Sequence, residues 1–141
     1  MNWIWDSRLP QHKDKLQAPH LSAGREAEQQ AEHFLQQQGL LSLHRNYKCR
    51  RGELDLVMLN DSTLVFIEVR HRGNQRFGGA LSSITKSKQQ RVIKAAQEFL
   101  LREKVHHRQA CRFDVVTVDG DINRPHIEWI PNAFDLNYKG F

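Results

Sequence analysis

The fold is decided by the stretch GELDLVMLNDSTLVFIEVR, residues 52–70. Apolar and polar residues alternate over GELDLVML, and TLVFIEVR is rich in branched and aromatic residues, which is typical of β-strands. The residues LNDS between the two runs are turn formers. The sequence therefore predicts two strands joined as an antiparallel hairpin.

Further segments with a regular hydrophobic period precede and follow this hairpin in the sequence. Before it, small and apolar residues recur at helical spacing over about 22–38, Gly39 supplies a stop signal, and LSLHRNYKC (41–49) alternates weakly, as a strand does. After it, a second amphipathic helix is predicted over about 83–104, and CRFDVVTV (111–118) is predicted to be a further strand.

Two segments lack a clear period. HRGNQRFGGALSS (71–83) contains three glycines and is predicted to be a mobile loop beside a strand end. HIEWIPNAFDL (126–136) is predicted to be a short terminal piece whose apolar side chains cap the core. The order helix, three strands, helix, strand predicts an α/β domain with a mixed sheet flanked by helices.

The length of 141 residues favours one domain, which we place at 21–141. Residues 1–20 carry two Trp and two His without periodicity and are predicted to be an arm or a poorly ordered tail. The net charge of +5 favours a polyanionic partner such as nucleic acid.

No membrane segment or export signal is expected. No stretch approaches the roughly 18 apolar residues of a membrane span, and the N-terminus lacks the apolar core of a signal peptide. Cys49 and Cys111 are neither spaced nor dense enough for a secreted disulfide scaffold, so we expect reduced thiols in a cytoplasmic protein.

Three acids occupy positions where a charge is costly: Glu28 on the first helix, and Asp55 and Glu68 on the hairpin strands. A buried carboxylate must be paired or bound to a metal. Carboxylates that converge on one point repel each other unless a cation neutralises them, and oxygen-only ligands suit Mg²⁺ or Mn²⁺. Helical phasing turns Glu28 toward the sheet, in line with Leu35.

Ordinary structural roles are the alternative for each acid. Glu68 could pair with Arg70 or Arg72, Asp55 could cap a turn or pair with the basic segment before it, and an acid early in a helix is favoured by the helix dipole. From spacing alone, these alternatives and a metal site are equally open for Asp55 and Glu68. For Glu28 the structural role is the stronger one, although its phasing toward the sheet counts in favour of the metal site.

Cations are unevenly distributed around the acids. No acid occurs over 69–97, a stretch that holds seven cations, and this pattern is typical of a track for a phosphate backbone. A solvated charged surface is the alternative. Lys88 falls in line with Ile84 and Val92 and so points inward, although a snorkelling lysine would look the same. The residues predicted to bind nucleic acid are Arg45, Lys48, Arg50, Arg51, Arg72, Arg76, Lys86 and Arg91.

Taken in order, these segments resemble the YraN family of small bacterial proteins, which is related to archaeal Holliday junction resolvases. The resemblance covers about 24–134, and its pieces are G-x3-E-x2-A (from Gly24), RNYKCRRGELDLV, VFIEVRHR, RFGGA with SITKSKQQR, CRFDVV and IEWIPNAF. It implies a restriction-endonuclease-like fold of the PD-(D/E)xK type and a divalent metal cofactor. Asp55 and Glu68 would be metal ligands, with Glu28 as a third acid.

The sequence departs from the nuclease pattern at Arg70, where a lysine is usual. Arginine stays protonated, so Arg70 can orient groups or stabilise charge but cannot act as a general base. Three alternatives follow: a metal-activated water attacks unaided, Lys88 reaches in from the helix to supply the missing amine, or the activity is weakened or lost.

These observations together predict a metal-dependent endonuclease that binds DNA, with branched or structured DNA as a candidate substrate. Its catalytic residues would be Asp55, Glu68, Arg70 and Lys88, and its cofactor Mg²⁺ or Mn²⁺. The alternative is a noncatalytic nucleic-acid-binding protein that retains the nuclease fold. Junction resolvases act as symmetric dimers, so the resemblance also implies a homodimer as one oligomeric state. No residue in the sequence identifies the interface.

Overall fold

The computed structural model describes residues 23–73, 84–121 and 123–135. The predicted arm at 1–20, Arg76 and most of the predicted loop at 71–83 lie outside these residues. The elements are α1 (Ala23–Gln37), β1 (Leu41–Cys49), β2 (Gly52–Asn60), β3 (Thr63–Gly73), α2 (Lys86–Arg102), β4 (Cys111–Asp119) and β5 (His126–Phe134).

The strands form one sheet in the order β1-β2-β3-β4-β5. Neighbouring strands are antiparallel except β3 and β4, which are parallel. A parallel neighbour requires a crossover, and α2 lies in the chain between these two strands. The predicted hairpin of β2 and β3 and the predicted mixed sheet are therefore both confirmed.

The two helices bury their apolar stripes on opposite sides of the sheet. On one side Ala31 and Leu35 of α1 pack in a cluster with Val65 of β3 and other strand residues. On the other side Phe99 of α2 packs in a second cluster with Phe66. Burying a side chain of this size contributes about 1.5–3 kcal/mol, so both layers matter for stability. Within the described ranges, no helix has the length and apolar character needed to cross a membrane.

The segment predicted to be a short terminal piece is a fifth strand, β5, and the prediction is corrected here. It pairs with β4 from Asp119 with His126 to Phe113 with Phe134. Pro131 and Asn132 hid the strand in the sequence because both residues are rare inside strands. The structure accommodates them at an irregularity in the pairing, where Asn132 has a φ of +53° and its N–H donates to Asp114 Oδ1.

The strands β2 and β3 separate at one end, and this separation positions the candidate site. Their ladder runs from Asn60 with Thr63 to Leu56 with Ile67. Beyond it, the backbone N–H of Val69 donates 2.9 Å to Oδ2 of Asp55. A side chain thus replaces a backbone carbonyl as the acceptor at this end of the two strands.

Candidate metal and nucleic-acid site

A cavity of about 510 Å³ lies where α1, β2, β3 and the first turns of α2 meet. The three acids singled out from the sequence, Glu28, Asp55 and Glu68, all line it. The structure thus brings together, from three separate elements, the acids predicted to converge. The other lining residues are Gly52, Glu53, Val69, Arg70, Lys88, Arg91 and Val92.

Asp55 and Glu28 are the two acids whose negative charge is least compensated. Burial, followed by repulsion from Glu68, raises the pKa of Asp55 to about 7. Burial, followed by repulsion from Asp55, raises the pKa of Glu28 to about 7 as well. In addition, Oε1 of Glu28 is buried and has no hydrogen-bond partner. These are the signs of carboxylates that lack a full complement of positive charge.

Glu68 is only 5% exposed and has two cationic neighbours. Lys88 Nζ lies 3.1 Å from Glu68 Oε2, and Arg70 Nη1 lies 3.8 Å from the same oxygen. Lys88 therefore lies on the inner side of α2, where helical phasing placed it. The pairing of Glu68 with Arg70, one of the structural alternatives for this acid, is present but long, and Lys88 is the nearer partner.

The donor chemistry of the cavity fits a hard divalent cation. All candidate ligands are carboxylate oxygens, and one of them is buried without a partner. Within the part of the chain that the structure describes, no group of three or more His, Cys, Asp or Glu side chains is arranged closely enough to hold a metal ion. Lys88 is the cation nearest to Glu68 in this arrangement, so the positive charge there comes from the protein itself.

Two residues predicted to bind nucleic acid are held in ion pairs. Arg45 Nε lies 2.6 Å from Oε1 of the buried Glu32, which also accepts a hydrogen bond from Ser42. Arg72 contacts both carboxylate oxygens of Asp119 at 2.6–2.7 Å. These contacts give both guanidinium groups structural roles in the fold.

The other described cations of the predicted track are exposed around the cavity. Lys48 lies near the end of β1, and Arg50 and Arg51 lie in the turn that leads into the cavity residue Gly52. Lys86 and Arg91 lie on the first turns of α2, and Arg91 lines the cavity. Two segments that contribute lining residues thus carry exposed basic residues.

Sequence reasoning missed four polar residues that the structure uses. Three are buried acids, Glu32, Asp114 and Asp119. Asp114, which is fully buried, accepts hydrogen bonds from Arg112, Trp129 and the Asn132 backbone. An acid flanked by apolar strand residues was the signal that singled out Glu68, and it would have found Asp114 too. The fourth residue is Asn46, whose side chain lowers the pKa of Glu28 by hydrogen bonding, against the effect of burial.

The amino-acid sequence matches a known protein family. A family model described as uncharacterised protein family UPF0102 matches residues 27–118. The chain belongs to UPF0102. This membership confirms the YraN resemblance at the level of the family. The UPF0102 match spans Glu28, Asp55, Glu68 and Lys88, so the whole candidate site lies within it.

Relatives named as UPF0102 proteins cover most of the chain. One from Pseudomonas fluorescens is 52% identical over 116 residues, which are 82% of this chain and 95% of the relative. One from Nitrosospira multiformis is 51% identical over 82% of this chain and 95% of the relative. One from Alcanivorax borkumensis is 48% identical over 80% and 91%, respectively. The names of these UPF0102 proteins state no activity, and we therefore infer the function from the site.

Proposed function

We propose that this protein is a metal-dependent endonuclease that hydrolyses phosphodiester bonds in DNA. The observation that carries the proposal is the convergence of Glu28, Asp55 and Glu68 in one cavity, together with Lys88 and Arg70. Hydrolysis of a phosphodiester requires both kinds of group. The carboxylates would bind the metal ion, and the cationic side chains would stabilise the negative charge on the phosphate. Branched or structured DNA is the substrate class favoured by the resemblance to junction resolvases.

The acids would hold Mg²⁺ or Mn²⁺, with Asp55 and Glu68 as the principal ligands and Glu28 as the third. A divalent cation bound there supplies Lewis acidity and lowers the pKa of water for attack on phosphorus. The hydrogen bond from Val69 N–H fixes the orientation of the Asp55 carboxylate before any ligand arrives. This fixed orientation reduces the entropy lost when a cation binds.

The two cations near Glu68 have different chemical capacities. Arg70 carries a guanidinium group, which would stabilise the charge that develops on the phosphate. Lys88 carries an amine that can hold or move a proton, and its Nζ is 3.1 Å from Glu68. We therefore assign to Lys88 the role of the lysine that is usual two residues after the acid in this type of nuclease.

A noncatalytic nucleic-acid-binding protein is the second candidate, and one observation favours it. Lys88 already places a positive charge beside Glu68. This is the arrangement of an ion pair that neutralises the acid without a metal. In this alternative the basic groups around the cavity bind DNA, and the acids serve only the stability of the fold.

Cleavage of labelled DNA substrates tests the proposal. A panel of junctions, flaps, duplexes and single strands is incubated with Mg²⁺ or Mn²⁺ and the parent protein, with the Asp55→Asn variant as the control. Asn keeps the shape and the acceptor oxygen for Val69 N–H but removes the charge, so we expect it to abolish cleavage. DNA binding by the parent without cleavage above the Asp55→Asn background would support the noncatalytic candidate instead.

A further inference from the structure

Asn46 has an unusual backbone conformation in the middle of β1. Its φ is +52°, in the left-handed region that residues with a side chain rarely adopt and that Asn tolerates better than most. The neighbouring pairs in the ladder are Arg45 with Leu56 and Tyr47 with Leu54. Asn46 therefore lies across from Asp55, at the point where the cavity begins.

The strand changes its phase at Asn46. In a regular strand, Arg45 and Tyr47 would point to the same face of the sheet, because side chains repeat with a period of two. Here Arg45 pairs with Glu32 of α1, whereas the Tyr47 ring packs 5.0 Å from Phe99 of α2. The two side chains point to opposite faces, and the left-handed residue between them accounts for the switch.

The partner strand changes its phase at the same place. Leu54 and Val57 of β2 both belong to the cluster under α2, whereas Leu56 belongs to the cluster under α1. In a regular strand, residues on the same face are an even number of positions apart. Leu54 and Val57 are three positions apart, so the strand holds one extra residue between them, in the segment that contains Asp55. Asn46 and Asp55 thus form a matched interruption in two paired strands, beside the cavity that Asp55 lines.

Asn46 also influences the third acid. Its side chain is close enough to the Glu28 carboxylate to oppose, by hydrogen bonding, the effect of burial on the pKa of that acid. Oε1 of Glu28 has no partner of its own. The amide thus interacts with the Glu28 carboxylate without satisfying both of its oxygens.

We propose that Asn46 is a positioning residue for the acid cluster. Its backbone allows the phase switch that exposes Asp55 to the cavity, and its amide holds Glu28 beside Asp55 for binding a divalent cation. This inference rests on the proposed metal site. Residues that orient metal ligands in this way typically affect metal affinity by about 10- to 100-fold when they are removed.

Two glycine variants separate the amide from the backbone. Asn46→Gly keeps access to the left-handed conformation and loses only the amide. Asp61→Gly is the matched control, because Asp61 is also left-handed, at +55°, but is exposed in the turn between β2 and β3. Titration with Mn²⁺, followed calorimetrically, should show about 10-fold or greater loss of affinity for Asn46→Gly and no change for Asp61→Gly. An affinity of Asn46→Gly within twofold of the parent would overturn the proposal.

A second measurement needs no metal. In the NMR spectrum of the full chain with EDTA, the side-chain amide protons of Asn46 should show cross-relaxation to the side-chain protons of Glu28, and Glu28→Ala should shift the Asn46 amide resonance. A parent that binds no Mn²⁺ but shows this contact would refute the metal site and leave the positioning of Glu28 supported. Absence of the contact would overturn the positioning role itself.

Discussion

Glu68 is the most buried of the three acids in the cavity, and its two cationic neighbours come from different elements. Arg70 is on the same strand, two residues further along, whereas Lys88 reaches across from α2. The first turn of α2 is fixed by Thr85, whose side chain accepts a hydrogen bond from Lys88 N–H. The amine of Lys88 is therefore positioned beside Glu68 by the capped N-terminus of α2, and not by the strand β3.

The roles of Lys88 and Arg70 in the proposed reaction can be distinguished by substitution. If Lys88 supplies the amine of the reaction, Lys88→Ala should lower cleavage by about 10² or more and leave DNA affinity nearly unchanged. Lys94→Ala, an exposed change on the same helix, is the control. Arg70→Lys should preserve or raise the rate, because it restores the usual amine. A Lys88→Ala variant that binds DNA weakly but cleaves bound DNA normally would reduce Lys88 to a phosphate contact.

The charge of Asp55 should make the metal-free protein less stable as the pH rises. Its pKa is raised to about 7 by burial and by Glu68. Between about pH 4 and 7 the native state therefore holds one proton more than the unfolded state, so stability falls as the pH rises through this range and levels off once the native carboxyl has ionised too. Asp55→Asn has no such proton, so its stability relative to the parent should increase by about 1–3 kcal/mol from pH 5 to pH 8.

Urea denaturation of the parent and Asp55→Asn in EDTA, at several pH values, measures this difference. Repetition with excess Mn²⁺ should stabilise the parent by about 2.7 kcal/mol at a hundred times the dissociation constant and leave the variant almost unaffected. The buried ion-pair alternative predicts the opposite sign. An Asp55→Asn variant that is strongly destabilised in EDTA, beside a parent without a response to Mn²⁺, would end the metal-site hypothesis.

At the level of elements, the sequence predicted α1, α2 and four of the five strands, because their periodic patterns are long. It predicted the convergence of the acids because a charge between apolar strand residues needs a partner. The weak alternation of LSLHRNYKC has two causes, the irregularity in the pairing between Ser42 and His44 and the change of face at Asn46. The pairing of Arg45 with Glu32 could not be predicted, since it depends on how α1 docks on the sheet.

The approach of α2 to β2 depends on Gly52. A Cβ at this residue would lie 3.0 Å from the backbone oxygen of Arg91, so a side chain would push the helix outward. We expect Gly52→Ala to cost about 1–3 kcal/mol and to impair cleavage, because Lys88 moves away from Glu68 with the helix. Gly39→Ala is the control: Gly39 also has a positive φ but nothing within 4 Å, so only stability should suffer. Equal effects of the two substitutions in denaturation and cleavage assays would refute this role of Gly52.

On the scale of the whole molecule, two segments next to the acid-lined cavity carry positive charge. The end of β1 and the turn after it carry Lys48, Arg50 and Arg51, and the start of α2 carries Lys86 and Arg91. Within the described residues, aromatic side chains are absent from the lining of this cavity. The arrangement favours contacts with phosphates over stacking on bases, and phosphate contacts carry no sequence information.

DNA binding should therefore depend steeply on salt and little on sequence. If the five exposed cations beside the cavity neutralise about five phosphates, the slope of log K against log salt should be about −4 to −5. Replacing Lys48, Arg50 and Arg51 by Gln removes up to three of these contacts and should bring the slope closer to zero by about 2 to 3. The control is Lys104→Gln with Arg108→Gln, which removes exposed charges beyond the end of α2, away from the cavity. Fluorescence anisotropy over a range of salt concentrations measures all three proteins. If both variants lost the same slope, binding would follow net charge and not the basic groups beside the acids, and the orientation of DNA over the cavity would be wrong.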